Sequence, residues 1–163
     1  MDATSMLLER CGCGIHALSS GGGHASALAD AGVLHPAELP RAGEPTTEFG
    51  YRAAGELLAR PVRPTALVCF NDKTAVGALA AAAERGLRVP DDLSVTGFDD
   101  IDLAQVTSPA LSTVRQPLAE MGRMAVSLLI RLLDGHQVDA LHIELATDLI
   151  VRGSTGPARE VPG

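Results

Sequence analysis

TALVCFNDKTAVGALAAAAERGLRVPDDLSVTGFDD, residues 65–100, has the pattern of a strand, a helix and a second strand. The continuous apolar run 65–70 is typical of a strand buried on both faces of a parallel sheet. A helix is predicted from there to about Arg85, with Gly86 just past its end. Its inward face is expected to carry four residues, Val76, Leu79, Ala80 and Ala83. The run 93–98 predicts the next strand, so the sequence indicates a βαβ unit.

The flanking sequence predicts further elements of the same kind. Residues 48–59 are expected to form a helix that Pro61 and Pro64 end. Residues 111–114 are expected to be extended, and residues 118–133 carry the i, i+3, i+4, i+7 apolar pattern of an amphipathic helix. HIELA (142–146) and DLIVR (148–152) are predicted as two closing strands. A short helix is expected within 24–33, whereas residues 1–24 show no regular periodicity.

Composition and charge limit the class of protein. The chain has 163 residues, enough for one domain with a core, and the low aromatic content of 2% requires a core of Ala, Val and Leu. The net charge of −7 without a basic cluster argues against nucleic-acid binding by this chain alone. No apolar run approaches membrane-spanning length. Three cysteines predict no disulfide framework, and we expect a cytoplasmic protein without a membrane partner.

Polar residues follow both strands of the βαβ unit. Asn71 and Asp72 come after the first strand, and Asp99 and Asp100 come after the second. The carboxyl ends of parallel strands form the crevice where α/β sheets bind ligands. Asn offers a donor and an acceptor and an ionised Asp offers acceptors, which suits the hydroxyl and N–H groups of a polyol or a purine-like base. For Asp72 two roles stay open, because Asp is also a favoured helix N-cap.

Catalytic and metal-binding roles have weaker support. Asp100-Ile101-Asp102 has the D-x-D spacing of a phosphotransferase, but the sole lysine, Lys73, lacks a matching acidic motif for Mg²⁺. Four residues, Cys11, Cys13, His16 and His24, offer a low-specificity zinc pattern in an irregular segment. We therefore predict no metal, no cofactor and no enzymatic activity, with a phosphatase or hydrolase as a remote alternative.

The run from Arg63 to Gly135, with VPDDLSVTGFDD and STVRQP inside it, resembles the C-terminal part of LacI/GalR-family transcription regulators, and LIVRGST at 149–155 continues the likeness. The resemblance implies an α/β, parallel-sheet, periplasmic-binding-protein-like (type I) sensor fold. Most of it is the C-terminal subdomain, with part of the N-terminal one. The predicted organisation is an irregular segment 1–24, a partial sensor domain 25–155 and a tail 156–163.

Family positions imply the binding residues and the partners. Asn71 and Asp99 match effector contacts. Gln116 matches a less regular contact in STVRQP (112–117), which resembles the crossover between the two subdomains, and Asp72 is a further candidate. The effector is expected to be a sugar or a nucleoside-like molecule. Operator DNA would be bound only through a helix-turn-helix that this sequence lacks, and a homodimer or aggregate is expected. Ser20 stands where the family has an arginine. Together with the missing helix-turn-helix, the largely missing N-terminal subdomain and the irregular segment 1–24, this suggests a truncated or frame-disrupted regulator gene. The alternative is a solute-binding protein of a sugar transporter.

Overall fold

A computed structural model describes residues 15–18, 30, 44–136 and 143–157. Within these ranges the order of elements along the chain is as follows: β1 (Ile15–Leu18), α1 (Thr47–Leu58), β2 (Ala66–Cys69), α2 (Asp72–Glu84), β3 (Ser94–Thr96), α3 (Asp102–Val106), β4 (Thr113–Arg115), α4 (Leu118–Leu133) and β5 (Asp148–Ile150). The short helix and the tail predicted at 24–33 and 156–163 lie mostly outside the described residues. The predicted domain boundaries remain a prediction. No helix in these ranges is long and apolar enough to cross a membrane.

Three parallel strands form the sheet that carries the predicted βαβ unit. The strand order is β1-β2-β3, with Ala66 opposite both Ile15 and Ser94. The chain then continues the sheet beyond β3 through two parallel bridges, Thr96 to Ser112 and Asp99 to Arg115. The parallel α/β fold that the sequence predicts is confirmed. Strand β1 lies in the segment 1–24, where the sequence shows no strand periodicity, so this strand was not predicted.

Helices α1 and α2 pack closely because glycines lie at their contact. A Cβ atom at Gly77 would lie 2.0 Å from the carbonyl oxygen of Thr47, and one at Gly50 would lie 2.1 Å from that of Thr74. The surrounding core is made of small and aliphatic residues: Ala54, Leu57, Leu67, Ala75, Ala78, Ala81, Ala82, Leu93, Val95 and Leu111 are all buried. A core poor in aromatic side chains is what the composition requires.

The inward face of α2 was predicted only in part. Leu79 is buried as expected, but Ala80 and Ala83 are exposed and Val76 is half-buried. Gly77 faces α1 instead, and this contact sets the rotation of the helix. In an alanine-rich helix several faces are almost equally apolar, so periodicity alone does not determine which one packs.

The segment after the sheet consists of an antiparallel pair and an exposed helix. Strand β4 pairs with β5, with Val114 opposite Leu149. Helix α4 has the range that the sequence predicts, yet none of its residues is buried. The strand predicted at 142–146 is wrong for its described part, because residues 143–146 are not in a strand.

Candidate functional site

Asn71 lies two residues after β2 and is the N-cap of α2. Its Oδ1 accepts hydrogen bonds from the backbone N–H of Thr74 at 2.9 Å and from the Thr74 hydroxyl at 2.7 Å. These bonds satisfy one of the free N–H groups at the start of the helix. The capping role considered for Asp72 therefore belongs to Asn71. The Asn71 side chain is half-buried, and its amide nitrogen has no partner in the described part of the chain, so it remains able to donate to a ligand.

Asp72 is fully buried and joins three segments of the fold. One carboxylate oxygen accepts from the backbone N–H of Ile101 at 2.9 Å, and the other accepts from the Thr113 hydroxyl at 2.5 Å. Burial raises the pKa of Asp72, as do the nearby charges of Asp99 and Asp100, against the lowering effect of these two hydrogen bonds. Both carboxylate oxygens accept hydrogen bonds inside the protein, which gives Asp72 an internal role; its role as an effector contact remains a prediction.

Gly97 explains why this carboxylate fits inside the protein. A Cβ atom at Gly97 would lie 2.2 Å from Oδ1 of Asp72, so only a residue without a side chain leaves room for the Asp72 carboxylate. Asp72 also donates its backbone N–H to the carbonyl of Phe98 at 2.9 Å. The carboxyl ends of β2 and β3 are thereby held next to each other.

Asp99 and Gln116 meet at the edge of the sheet. The Gln116 Nε2 donates to Oδ1 of Asp99 at 2.6 Å, and both side chains are half-buried. Asp99 also donates its backbone N–H to the carbonyl of Val114 at 2.8 Å, which fixes it beside the crossover strand. No basic side chain pairs with Asp99 in the ranges that the structure describes. The structure thus brings together two of the four residues predicted as effector contacts, and Asn71 lies just past the end of the neighbouring strand β2.

The backbone at this corner is unusual. Asp99 has φ 108° and Asp100 has φ 55°, in the region that favours glycine. Asp tolerates a left-handed conformation better than most residues, yet such positions cost on the order of 1–3 kcal/mol each. Backbone strain of this kind persists where the surroundings impose it.

Two arginines hold the side chain of Asp100 in place. Its side chain is only 3% exposed and is held by two guanidinium groups, the Nη2 of Arg152 at 2.6 Å and the Nε of Arg115 at 2.7 Å. Burial would raise the pKa of Asp100, but the hydrogen bonds and positive charges of the two arginines outweigh it and lower the pKa. The sequence placed Asp100 directly after the second strand of the βαβ unit but did not predict either arginine as its partner. The available sequence signal was that Arg152 directly follows the apolar residues of DLIVR (148–152).

The arrangement suits hydrogen bonding more than metal chemistry. Asp99 supplies an accessible acceptor, and Gln116 and Asn71 supply amide groups at the same sheet edge. No group of His, Cys, Asp and Glu that could hold a metal ion occurs among the described residues. The zinc pattern of the sequence involves Cys11, Cys13 and His24, which lie outside these ranges, as does Ser20.

A cavity of about 260 Å³ lies beside Gln116. Its remaining walls are predominantly apolar and come from α4 and the segment 143–147: Pro117, Met121, Met124, Ala125, Leu128, Ile143, Leu145 and Thr147. This cavity belongs to the exposed apolar side of α4 and offers a polyol few polar partners.

Comparison with known proteins places this chain in a family. The family model of the periplasmic binding protein-like domain matches residues 19–155. The HTH-type transcriptional repressor CytR of Escherichia coli (strain K12) is 41% identical over 133 residues, which are 82% of this chain and 39% of CytR. A LacI-family transcriptional regulator from Mycobacterium smegmatis has a TM-score of 0.83 at 30% identity, over 96% of this chain and 62% of the regulator. The chain belongs to the LacI family.

A ligand-bound relative has the same fold as this LacI-family chain. The structure of the transcriptional regulator CelR in complex with cellobiose has a TM-score of 0.84 at 30% identity, over 93% of this chain and 50% of that structure. The LacI-family chain spans 39% to 43% of the length of the curated repressors it matches. The resemblance noted from the sequence is confirmed, and so is the sensor fold.

Proposed function

We propose that this LacI-family region senses a small polar effector for a transcription regulator. The observation that carries the proposal is the half-buried Asp99–Gln116 pair at the carboxyl end of the sheet, with the Asn71 amide at the end of the next strand. The membership of repressors such as CytR in the same family supports the regulatory role. CelR, a relative of the same fold, binds cellobiose, which supports a saccharide as the effector class.

The contrast between the two adjacent aspartates gives the site its ligand chemistry. Asp100 is neutralised by two arginines, whereas Asp99 has only the neutral amide of Gln116 as its side-chain partner among the described residues. An ionised carboxylate accepts hydrogen bonds from hydroxyl or N–H groups, and bonds to a charged group are about twice as strong as neutral ones. The preferred ligands are therefore sugars, with nucleosides as a second class.

The remaining parts of the proposal concern partners and location. With a net charge of −7, this region is expected to influence DNA only through a separate DNA-binding segment. The ion-paired Asp100 is poorly suited to act as a nucleophile, so we propose a non-enzymatic role. We also propose that the protein acts in the cytoplasm. Exposed apolar side chains on α4, such as Leu129 and Ile130, favour association with a second copy.

The test is calorimetric titration of the full chain with a panel of mono- and disaccharides, including cellobiose, and nucleosides. For the ligand that binds, Asp99→Ala is expected to weaken affinity by roughly ten- to a hundredfold, because a hydrogen bond to a charged group contributes about 1.5–3 kcal/mol.

Asp102→Ala is the matched control, since it removes the same charge from an exposed position three residues away. It is expected to leave affinity unchanged. Binding by the wild type that persists in Asp99→Ala would refute the assigned site. A wild type that binds no member of the panel would refute the proposed effector class.

A further inference from the structure

Arg152 lies far from Asp99 in sequence but is built into the same corner. It follows β5, and its Nη2 donates to Oδ1 of Asp100 at 2.6 Å. Its other guanidinium nitrogen, Nη1, donates to the carbonyl of Leu111 at 2.8 Å. The arginine thus links the residue after Asp99 to the start of the crossover segment.

The backbone of Arg152 is fixed as firmly as its side chain. Its N–H donates to the hydroxyl oxygen of Ser112 at 2.9 Å, and the Ser112 hydroxyl donates to the carbonyl of Arg152 at 3.2 Å. The Arg152 side chain is 16% exposed, against 51% for Arg115, the other partner of Asp100. Of the two arginines, Arg152 is therefore the less exposed and the more extensively hydrogen-bonded.

The Arg152 guanidinium affects the conformation of Asp99 through the adjacent Asp100. Asp99 and Asp100 both have positive φ, so the corner needs an interaction that holds it in this conformation. With Asp100 drawn toward Arg152 and Arg115, the preceding residue is turned so that its carboxylate meets Gln116 at 2.6 Å. Without the Arg152 contact, Asp100 keeps only the more exposed Arg115 as a side-chain ion pair, and we expect the corner to relax toward ordinary φ values, which would carry the Asp99 carboxylate away from Gln116.

We propose that Arg152 is a positioning residue: by holding Asp100 against the crossover, it sets the direction of the Asp99 carboxylate and its bond to Gln116. The consequence for ligand binding rests on the proposed function, since only then is Asp99 an effector contact. The positioning itself is a property of the free protein and is measurable without any ligand.

The experiment is two-dimensional ¹H–¹⁵N NMR of the full chain, observing the side-chain amide resonances of Gln116. Asp99→Ala gives the reference chemical shifts of the Gln116 amide when its hydrogen bond to Asp99 is completely lost. In Arg152→Ala these resonances are expected to move most of the way toward that reference. Arg152→Lys keeps the charge, but one ammonium group does not reproduce the forked contacts to Asp100 and Leu111, so an intermediate shift is expected.

Arg88→Ala is the control, because it also removes an arginine from an ion pair, here the exposed pair with Asp92 between α2 and β3. It is expected to leave the Gln116 resonances in place. A folded Arg152→Ala chain with unchanged Gln116 resonances would overturn the proposal and leave Arg152 a purely structural role.

If Arg152→Ala does not fold, the near-isosteric Asp100→Asn decides by the same readout: movement toward the Asp99→Ala reference supports the positioning role, and unchanged resonances overturn it. Failure of the proposed function is a separate result, because it appears as absent ligand binding by the wild type.

Discussion

Replacing Asp72 with alanine tests how strongly its buried carboxylate holds the sheet edge together. The change leaves two donors without an acceptor, the backbone N–H of Ile101 and the fully buried hydroxyl of Thr113. Each buried donor left unsatisfied costs about 1–3 kcal/mol. Relief from burying a carboxylate, whose pKa is raised by that burial, offsets part of this loss. We expect Asp72→Ala to lower the free energy of unfolding by about 2–4 kcal/mol.

Urea unfolding followed by circular dichroism measures this loss as a shift of the midpoint at constant slope. A domain of this size has a total stability of roughly 5–15 kcal/mol, so the change is a large fraction of it. Asp72→Asn is the sharper comparison, because its carbonyl still accepts from Ile101 and its amide is able to donate to a rotated Thr113 hydroxyl. We expect it to cost about 1 kcal/mol or less. Equal stability of Asp72→Ala and the wild type would refute the conclusion that the Asp72 carboxylate stabilises the sheet edge.

Two further predictions concern pH and helix packing. Because the pKa of Asp72 is raised, the folded chain holds this proton more tightly than the unfolded chain, so its contribution to stability falls as pH rises above 3.8 toward the folded pKa. Unfolding at a series of pH values should therefore show Asp72→Asn gaining on the wild type above pH 3.8; a constant difference would contradict this. Gly77→Ala should destabilise the chain by about 1–3 kcal/mol, because its Cβ would meet backbone atoms of α1 at 2.0–2.5 Å. Gly122→Ala, with nothing within 4 Å, should instead gain about 0.5–1 kcal/mol in thermal or urea unfolding, and equal effects of the two changes would refute the packing argument.

Local pattern predicted the βαβ unit and α4 because their signals are complete within short windows. The apolar run of β2, the Gly86 after α2 and the stripe of α4 each encode an element without reference to distant residues. The pattern did not distinguish Asn71 from Asp72 as the N-cap, since the two are adjacent and both residue types cap helices. In the structure the Asn71 side chain caps the helix, and Gly97 leaves room for the carboxylate of Asp72, the first residue of α2.

The sequence predicted the location of those candidate residues whose place depends only on the strand that they follow. Asp99 and Gln116 follow β3 and β4, and the structure brings them together. The partners of Asp100 depend on contacts across 15 and 52 positions, which no local window contains. Likewise, the burial of Asp72 depends on Ile101 and Thr113, which lie 29 and 41 positions away.

Ser154 makes contacts with β3 that form only after the rest of the βαβ unit has been synthesised. Its hydroxyl donates to the carbonyl of Val95 at 2.6 Å and accepts the backbone N–H of Ser112 at 2.8 Å, and its carbonyl accepts the Val95 N–H at 2.8 Å. On the ribosome, strands β2 and β3 and helices α1 and α2 emerge well before residue 154. The growing chain therefore carries β3 without its contacts to Ser154 until residue 154 has emerged, and a nascent-chain complex stalled before residue 152 holds Asp100 without Arg152.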